Sequence, residues 1–417
     1  MSEKLGPAFN RLFSASVISN FSDGLLAVAA PLLAISLTKD PILISLLSAF
    51  VMLPWLLFAI PIGLIVDRSD KRLLITCTNS IRFITAGLVA LAISADVMTI
   101  YWLLLATFLI GTCEVATDTA TQSLIPVVLE KKNFEKANSL LSISEKVIQG
   151  FIGGPLSGFL YATAIVLPFI LNSLGFLIAA IFVFMIPTQL ISNGSSAEAI
   201  VKENKSFMSE IKFGLNYLWN DQPLRRLVIT TSSLGLFYSF SFSTLILFVT
   251  ETLGVQAKYF GVLMAASGSG AVFSGIITPA LSKRFGRGGV LSVAILVSSI
   301  TVLSQGLSPN VWVFGVIGFV SSFTITNWNI LLMSCYQVLI PADLYGRIHG
   351  ARRTFVWGVM PIGAFFGGVV AQSGLRLPLI VGGIVNTLIS LSALKFIYHL
   401  GNKTSNEDHT EAIEIKD

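Results

Sequence analysis

Charge is what this sequence most lacks. Asp, Glu, Lys and Arg make up 12% of its 417 residues, whereas about a quarter of a soluble globular chain is charged. That shortage excludes an ordinary soluble domain. Histidine is scarcer still: His349, His399 and His409 are the only three, all in expected loops or near helix ends. The three cysteines, Cys77, Cys113 and Cys335, fall inside apolar runs, with no spacing for a metal site or a disulfide framework. Neither a nucleophile-and-base arrangement nor a ligand set can be assembled from these residues. A membrane-embedded enzyme is therefore not expected, nor is any metal or cofactor. Nothing at the N-terminus reads as cleavable, because Met1 to Arg11 is polar and the next run is long enough to cross a bilayer.

Apolar length is what the chain has instead: 54% of it is hydrophobic, with a mean hydropathy of +0.81. A membrane helix needs about 20 apolar residues. Runs of that order lie at approximately 10–37, 43–66, 73–94, 99–123, 138–161, 164–187, 224–250, 258–281, 289–306, 311–338, 350–373 and 378–398. The expectation is an all-α membrane protein with twelve transmembrane helices and the lipid bilayer as its main partner.

The net charge of +5 follows the topology. Of 27 Lys and Arg residues, only Lys39, Lys258 and Arg376 fall on one side of these spans, and Arg82 lies within one. The rest lie on or near the opposite side, which places both termini in the cytoplasm of a plasma (inner) membrane protein. Nucleic acid is not implied.

The one long polar interruption, Pro187 to Pro223, divides the chain. Residues 1–187 form an N-terminal six-helix half and residues 224–400 a C-terminal one. Residues 188–223 are a cytoplasmic linker, and 401–417 a polar tail expected to be disordered. Within the linker, Phe207, Ile211, Leu215 and Leu218 share one helical face, the pattern of an interfacial helix. The halves also repeat each other. Gln122–Pro126 is echoed by Gln337–Pro341, and the stretch beginning at Asp67 aligns with the one beginning at Lys283 at nearly the same offset. Parallel repeats of six helices are a transporter plan.

Charges inside spans are costly and so mark candidate sites. Span 1 carries Asn20 and Asp23. Asp23 is assigned either to proton coupling or substrate binding, or to a structural hydrogen bond with a neighbouring helix. Arg82 lies about 15 Å into span 3 at 1.5 Å per residue, too deep to snorkel easily, and needs a partner. Span 4 offers Glu114 and Asp118 on one helix face. Glu114, the deeper, joins Asp23 and Arg82 as a proton-coupling candidate, and Asp118 is assigned to a gate or a structural ion pair. The second half has almost no deep charge. There Tyr238, Asn327, Trp328 and Trp357, with Asn20 of span 1, are the candidates for an apolar substrate cavity with a few polar anchors.

Between spans 2 and 3 runs Gly63–Leu64–Ile65–Val66–Asp67–Arg68–Ser69–Asp70–Lys71–Arg72. This spelling resembles the loop between helices 2 and 3 of the major facilitator superfamily, G-x-L-a-D-R-x-G-R-K. Gly63, Asp67, Arg68, Lys71 and Arg72 fit, and Asp70 stands where the family usually has a glycine. The resemblance implies a cytoplasmic gate, with Asp67 meeting helix N-terminal amides. The bland alternative is basic anchoring alone. In span 5, Gly150, Gly154, Pro155 and Gly158 resemble the antiporter signature G-x-x-x-G-P-x-x-G-G, with Phe159 replacing the last glycine. Leu344–Tyr345–Gly346–Arg347–Ile348 resembles a motif of macrolide-efflux and siderophore (enterobactin) exporters.

The resemblance covers Asn10 to Leu400 and implies proton-antiport export of a small amphipathic organic compound by alternating access, by a protein able to work as a monomer. Span 4 holds no arginine where many drug/proton antiporters carry one. A nutrient importer or facilitator on the same fold stays open, as does a non-transporting receptor or assembly factor.

Overall fold

The computed structural model describes residues 5–129, 137, 140–141, 144–187, 216–340, 348, 352 and 355–414. Among them there is no strand. The helices are α1 (Gly6–Leu37), α2 (Pro41–Arg68), α3 (Lys71–Ser94), α4 (Ile100–Val128), a π-helix (Ser144–Gly153) leading into α5 (Gly154–Thr163), and α6 (Leu167–Phe184). There follow α7 (Gln222–Phe242), α8 (Ala257–Phe285), α9 (Arg287–Gly306), α10 (Val311–Leu339), α11 (Met360–Ala371) and α12 (Leu377–Glu414).

Nine helices among the described residues are long and apolar enough to span, or ten when the bent pair Gln222–Phe242 and Leu245–Thr252 counts as one. The other two expected spans, the fifth and eleventh, both begin in stretches that lie partly outside the described residues. The final helix runs on to Glu414, so residues 401–414, expected to lack structure, are helical. Most of the expected linker helix lies outside the described residues, as does the Leu344–Arg347 motif.

The chain forms two compact units. One comprises Met1–Lys39, Phe50–Lys205 and Gln256–Val262, and the other Asp40–Ala49, Ser206–Val255 and Leu263–Asp417. In the first, α1 packs against α6, α5, the π-helix and α4, while α3 packs against α4 and α6. Its core joins Leu12 and Ala15 of α1, Val66 of α2, Ile75 of α3, Val115 and Leu124 of α4, and Ala179 and Val183 of α6. In the second, α9 packs on α12 and α10, and α7 on α11 and α12. Leu91, Ile276 and Trp312 are exposed, as lipid-facing positions require.

The short turns are set by capping side chains. Asp70 accepts hydrogen bonds from the backbone amides of Arg72 (2.9 Å) and Leu73 (3.2 Å), which would otherwise be orphaned at the start of α3. Its place in the family's glycine position thus has a physical account. Asp70→Ala is expected to cost about 1 kcal/mol, read as a lower melting temperature of the purified protein. An unchanged transition would show that this cap is dispensable.

Candidate functional site

On α1, Ser16, Ser19, Asn20 and Asp23 recur at helical spacing and form one polar stripe. Arg82 of α3, 1% exposed, meets this stripe. One guanidinium nitrogen donates to Asp23 in an ion pair, and another donates to Ser19 Oγ at 3.0 Å. The guanidinium also lies over the Phe176 ring of α6, 3.9 Å from its centroid. A buried cation needs a counter-charge, and α1 supplies the direct one. Glu114 and Asp118 of α4 are close enough to Asp23 to act on it electrostatically.

Neighbouring helices hold α1 in place. Asn172 of α6 donates to the Ser22 carbonyl (2.6 Å), Ser157 of α5 to the Leu25 carbonyl (2.6 Å), and Tyr161 to the Leu32 carbonyl (3.1 Å). Asn20, expected in a substrate cavity, donates to Ser144 Oγ at 3.1 Å and to Ser16 Oγ at 3.4 Å. Between α1, α3, α4 and α6 is a cavity of about 40 Å³ whose lining includes Ser19, Asn20, Asn79 and Asp118.

The wide turns of the π-helix precede Pro155. Its ring cannot donate a backbone hydrogen bond, and such insertions cluster at functional sites. Of the four positions that fit the antiporter signature, Gly150 faces open space, and a Cβ at Gly154 would make only ordinary contact with Val28. The close approach is made by Gly153 instead: a Cβ there would lie 2.8 Å from the Gly24 Cα. Gly158 is buried on α5, and Pro155 is half-buried. The backbone oxygen of Gly154 would lie 2.7 Å from a Cβ on Gly261.

In the expected gate, Gly63 is half-buried and Arg68 exposed, both in the last turns of α2, with Lys71 half-buried at the start of α3. The Asp67 side chain lies outside the described residues, and the acidic group seen at the α3 N-terminus is Asp70. Arg72 donates to the Phe184 carbonyl and lies over the Phe184 ring (4.9 Å). Arg11 donates to the Met185 carbonyl at 2.5 Å. Two cations thus hold the C-terminal end of α6, where helix carbonyls lack partners.

The second unit's candidates are dispersed. Asn327 is 2% exposed; its Oδ1 accepts from Thr278 of α8 at 2.5 Å and its Nδ2 donates to the Phe323 carbonyl. That arrangement makes it a helix-to-helix link. Trp328 packs in the core with Leu227, Leu331 and Ile397. Tyr238 is 37% exposed, its ring tilted against that of Phe242 with centroids 4.5 Å apart, and Trp357 is half-buried.

Ser19, Asn79, Phe176 and Gly24 were not among the sequence candidates. The one usable signal was spacing: Asn79 lies one turn from Arg82, and Ser19 one turn from Asp23. Among the described residues, no group of three or more His, Cys, Asp or Glu is placed to hold a metal ion.

The family model of the transmembrane secretion effectors, within the major facilitator superfamily, matches residues 5–413. An uncharacterized MFS-type transporter of Bacillus subtilis (strain 168), YfiS, is 25% identical over 401 residues, covering 92% of this chain and 91% of that one. Among solved structures, a mutant of the nucleoside transporter NupG superimposes with a TM-score of 0.71 at 12% identity, covering 94% of this chain and 99% of that one. A bacterial homologue of the iron transporter ferroportin, in an inward-facing state, gives 0.69 at 14% identity, covering 94% of this chain and 100% of that one. Identities this low establish the fold alone. Matched almost end to end by the family model, the chain belongs to the transmembrane secretion effector family and is a multi-pass transporter of the major facilitator superfamily.

Proposed function

We propose that this transporter exports a small amphipathic organic compound in exchange for protons, by alternating access across the plasma membrane, with both termini cytoplasmic. The observation that carries the reading is a carboxylate held inside a span by a buried cation. Asp23 of α1 pairs with the buried guanidinium of Arg82, and Glu114 and Asp118 act on Asp23 from α4. A carboxylate within a membrane span is costly as an anion, and binding a proton removes the cost.

In this mechanism a proton arriving from outside neutralises Asp23 and loosens its hold on Arg82. Release of that proton toward the cytoplasm restores the ion pair. Each exchange therefore changes the helix contacts that the pair supports, which is how proton binding biases one conformation over another. Outward direction is supported by the likeness of the Gly150–Gly158 stretch to the exporter signature. Tyr238 and Trp357, with exposed or half-exposed rings, suit an amphipathic ligand.

The test is accumulation of ethidium, an amphipathic cation, by inside-out vesicles under an imposed proton gradient. Accumulation that collapses with a protonophore is the expected result. Ethidium taken up preferentially by right-side-out vesicles would replace the exporter reading with an importer. Accumulation unaffected by the protonophore would remove the proton from the mechanism.

A further inference from the structure

We infer that a hydrated passage runs from Asp118 to the Arg82–Asp23 pair, with Asn79 and Ser19 as the residues that position its water. The inference rests on the proton-coupled reading and adds the route by which the proton leaves.

Size decides what the cavity in the first unit can hold. At about 40 Å³ it is far below the roughly 300–1,000 Å³ of a pocket for an organic ligand. It is ample for water, which needs about 10–15 Å³ by the same kind of measure. Its polar lining comes from three helices: Ser16, Ser19 and Asn20 of α1, Asn79 of α3, and Thr117, Asp118 and Thr121 of α4. A water needs 2–4 polar partners to be held, and this wall offers them.

Two residues fix the passage more closely. Asn79 is 1% exposed, and its Nδ2 donates to the Ile75 carbonyl at 3.0 Å. Its Oδ1 has no partner among the described residues. A buried carbonyl left in that state is destabilising, and a cavity water donating to it relieves the cost. Ser19 lines the same cavity while its Oγ accepts from Arg82. Its hydroxyl hydrogen remains to donate, so Ser19 joins the cavity to the ion pair. Asp118 is the exposed member at the other end.

Transfer along this route makes and breaks only O–H bonds. The Asp23 carboxylic acid gives up its proton through Ser19 to cavity water, and water gives one to the Asp118 carboxylate. Among the described residues, few other titratable or charged groups face the pair. They are Glu114 on α4, and Cys113 beside it, within electrostatic reach of Arg82. From α6 the neighbours are neutral, Phe176 and Asn172. Glu145 of the π-helix is exposed, and the Lys146 side chain lies outside the described residues.

The experiment needs no transport substrate. Purified protein is moved rapidly from H₂O to D₂O, and the carboxylic C=O infrared band is followed in time, with Asp23→Asn identifying the part due to Asp23. Asn79→Leu and Ser19→Ala are each expected to slow exchange of that band by about a hundredfold, the scale of a positioned proton-transfer group, with its amplitude unchanged. Ser19→Thr keeps the hydroxyl and should restore the wild-type rate. Melting temperature and size-exclusion profile report whether each variant is folded, and Ser19→Ala serves alone if Asn79→Leu is not. A band that exchanges at the wild-type rate in folded variants overturns the passage and leaves proton coupling standing. If Ser19→Thr is as slow as Ser19→Ala, the hydroxyl is not the relay and the passage is likewise overturned. A protein with no band dependent on Asp23 at any pH overturns the coupling reading, and the passage with it.

Discussion

Arg82→Met is expected to destabilise the protein by about 3–5 kcal/mol, the usual cost of removing one partner from a buried ion pair. Arg82 is 1% exposed, bonded to Asp23 and Ser19, and stacked over Phe176. Methionine replaces much of the apolar volume against Phe176 but leaves Asp23 without its counter-charge. Glu114 and Asp118 still act on it once the guanidinium is gone. The double variant Arg82→Met with Asp23→Asn is expected to recover more than half of the lost stability, because the uncompensated carboxylate is gone. Thermal unfolding of the purified proteins checks this. A double variant no more stable than Arg82→Met would mean that the loss comes from packing, and that the ion pair contributes little. Neither variant is expected to support gradient-driven transport.

Asp23→Asn alone separates coupling from binding. Asparagine keeps a hydrogen-bond acceptor for Arg82 and nearly the same volume, so the fold is expected to survive. Proton-driven accumulation of ethidium in inside-out vesicles is expected to fall to the level of vesicles lacking the protein. Ethidium exchange across vesicles preloaded with the same dye, which needs no net proton movement, is expected to persist. Glu114→Gln in the same assay tests the second carboxylate of the cluster. Gradient-driven accumulation that survives Asp23→Asn would remove Asp23 from the coupling role and leave it a structural partner of Arg82. Loss of both accumulation and exchange would instead place Asp23 in substrate binding, the other assignment its position allowed.

Much of the architecture was legible because hydropathy is local. A stretch of about 20 apolar residues must be helical inside lipid, where every backbone group needs an internal partner. The runs at 73–94, 289–306 and 311–338 accordingly correspond to α3, α9 and α10. The rarity of charge in such runs singled out Asp23, Arg82 and Glu114 for the same reason: an ionisable group there is too costly to be incidental. Aromatic and small residues carried no comparable signal. Trp328 in a core and Tyr238 on an exposed face look alike in sequence, because both lie in apolar helices. Gly150 and Gly153 are likewise equivalent as letters, and only the helix facing them distinguishes open space from a contact with Gly24.

Residue types alone were enough to mark a helical membrane protein, the positions of most of its spans, and the few charges inside them. Each of those follows from the free energy of placing a residue type in water or in lipid. Tertiary structure decided the partnerships: Arg82 with Asp23, 59 residues apart, Arg72 with the end of α6, and Asn327 with Thr278. It also decided that a polar cavity lies beside the ion pair. Those outcomes depend on which helix faces meet, and that is settled by the packing of the whole bundle, where no local window of residues holds the information.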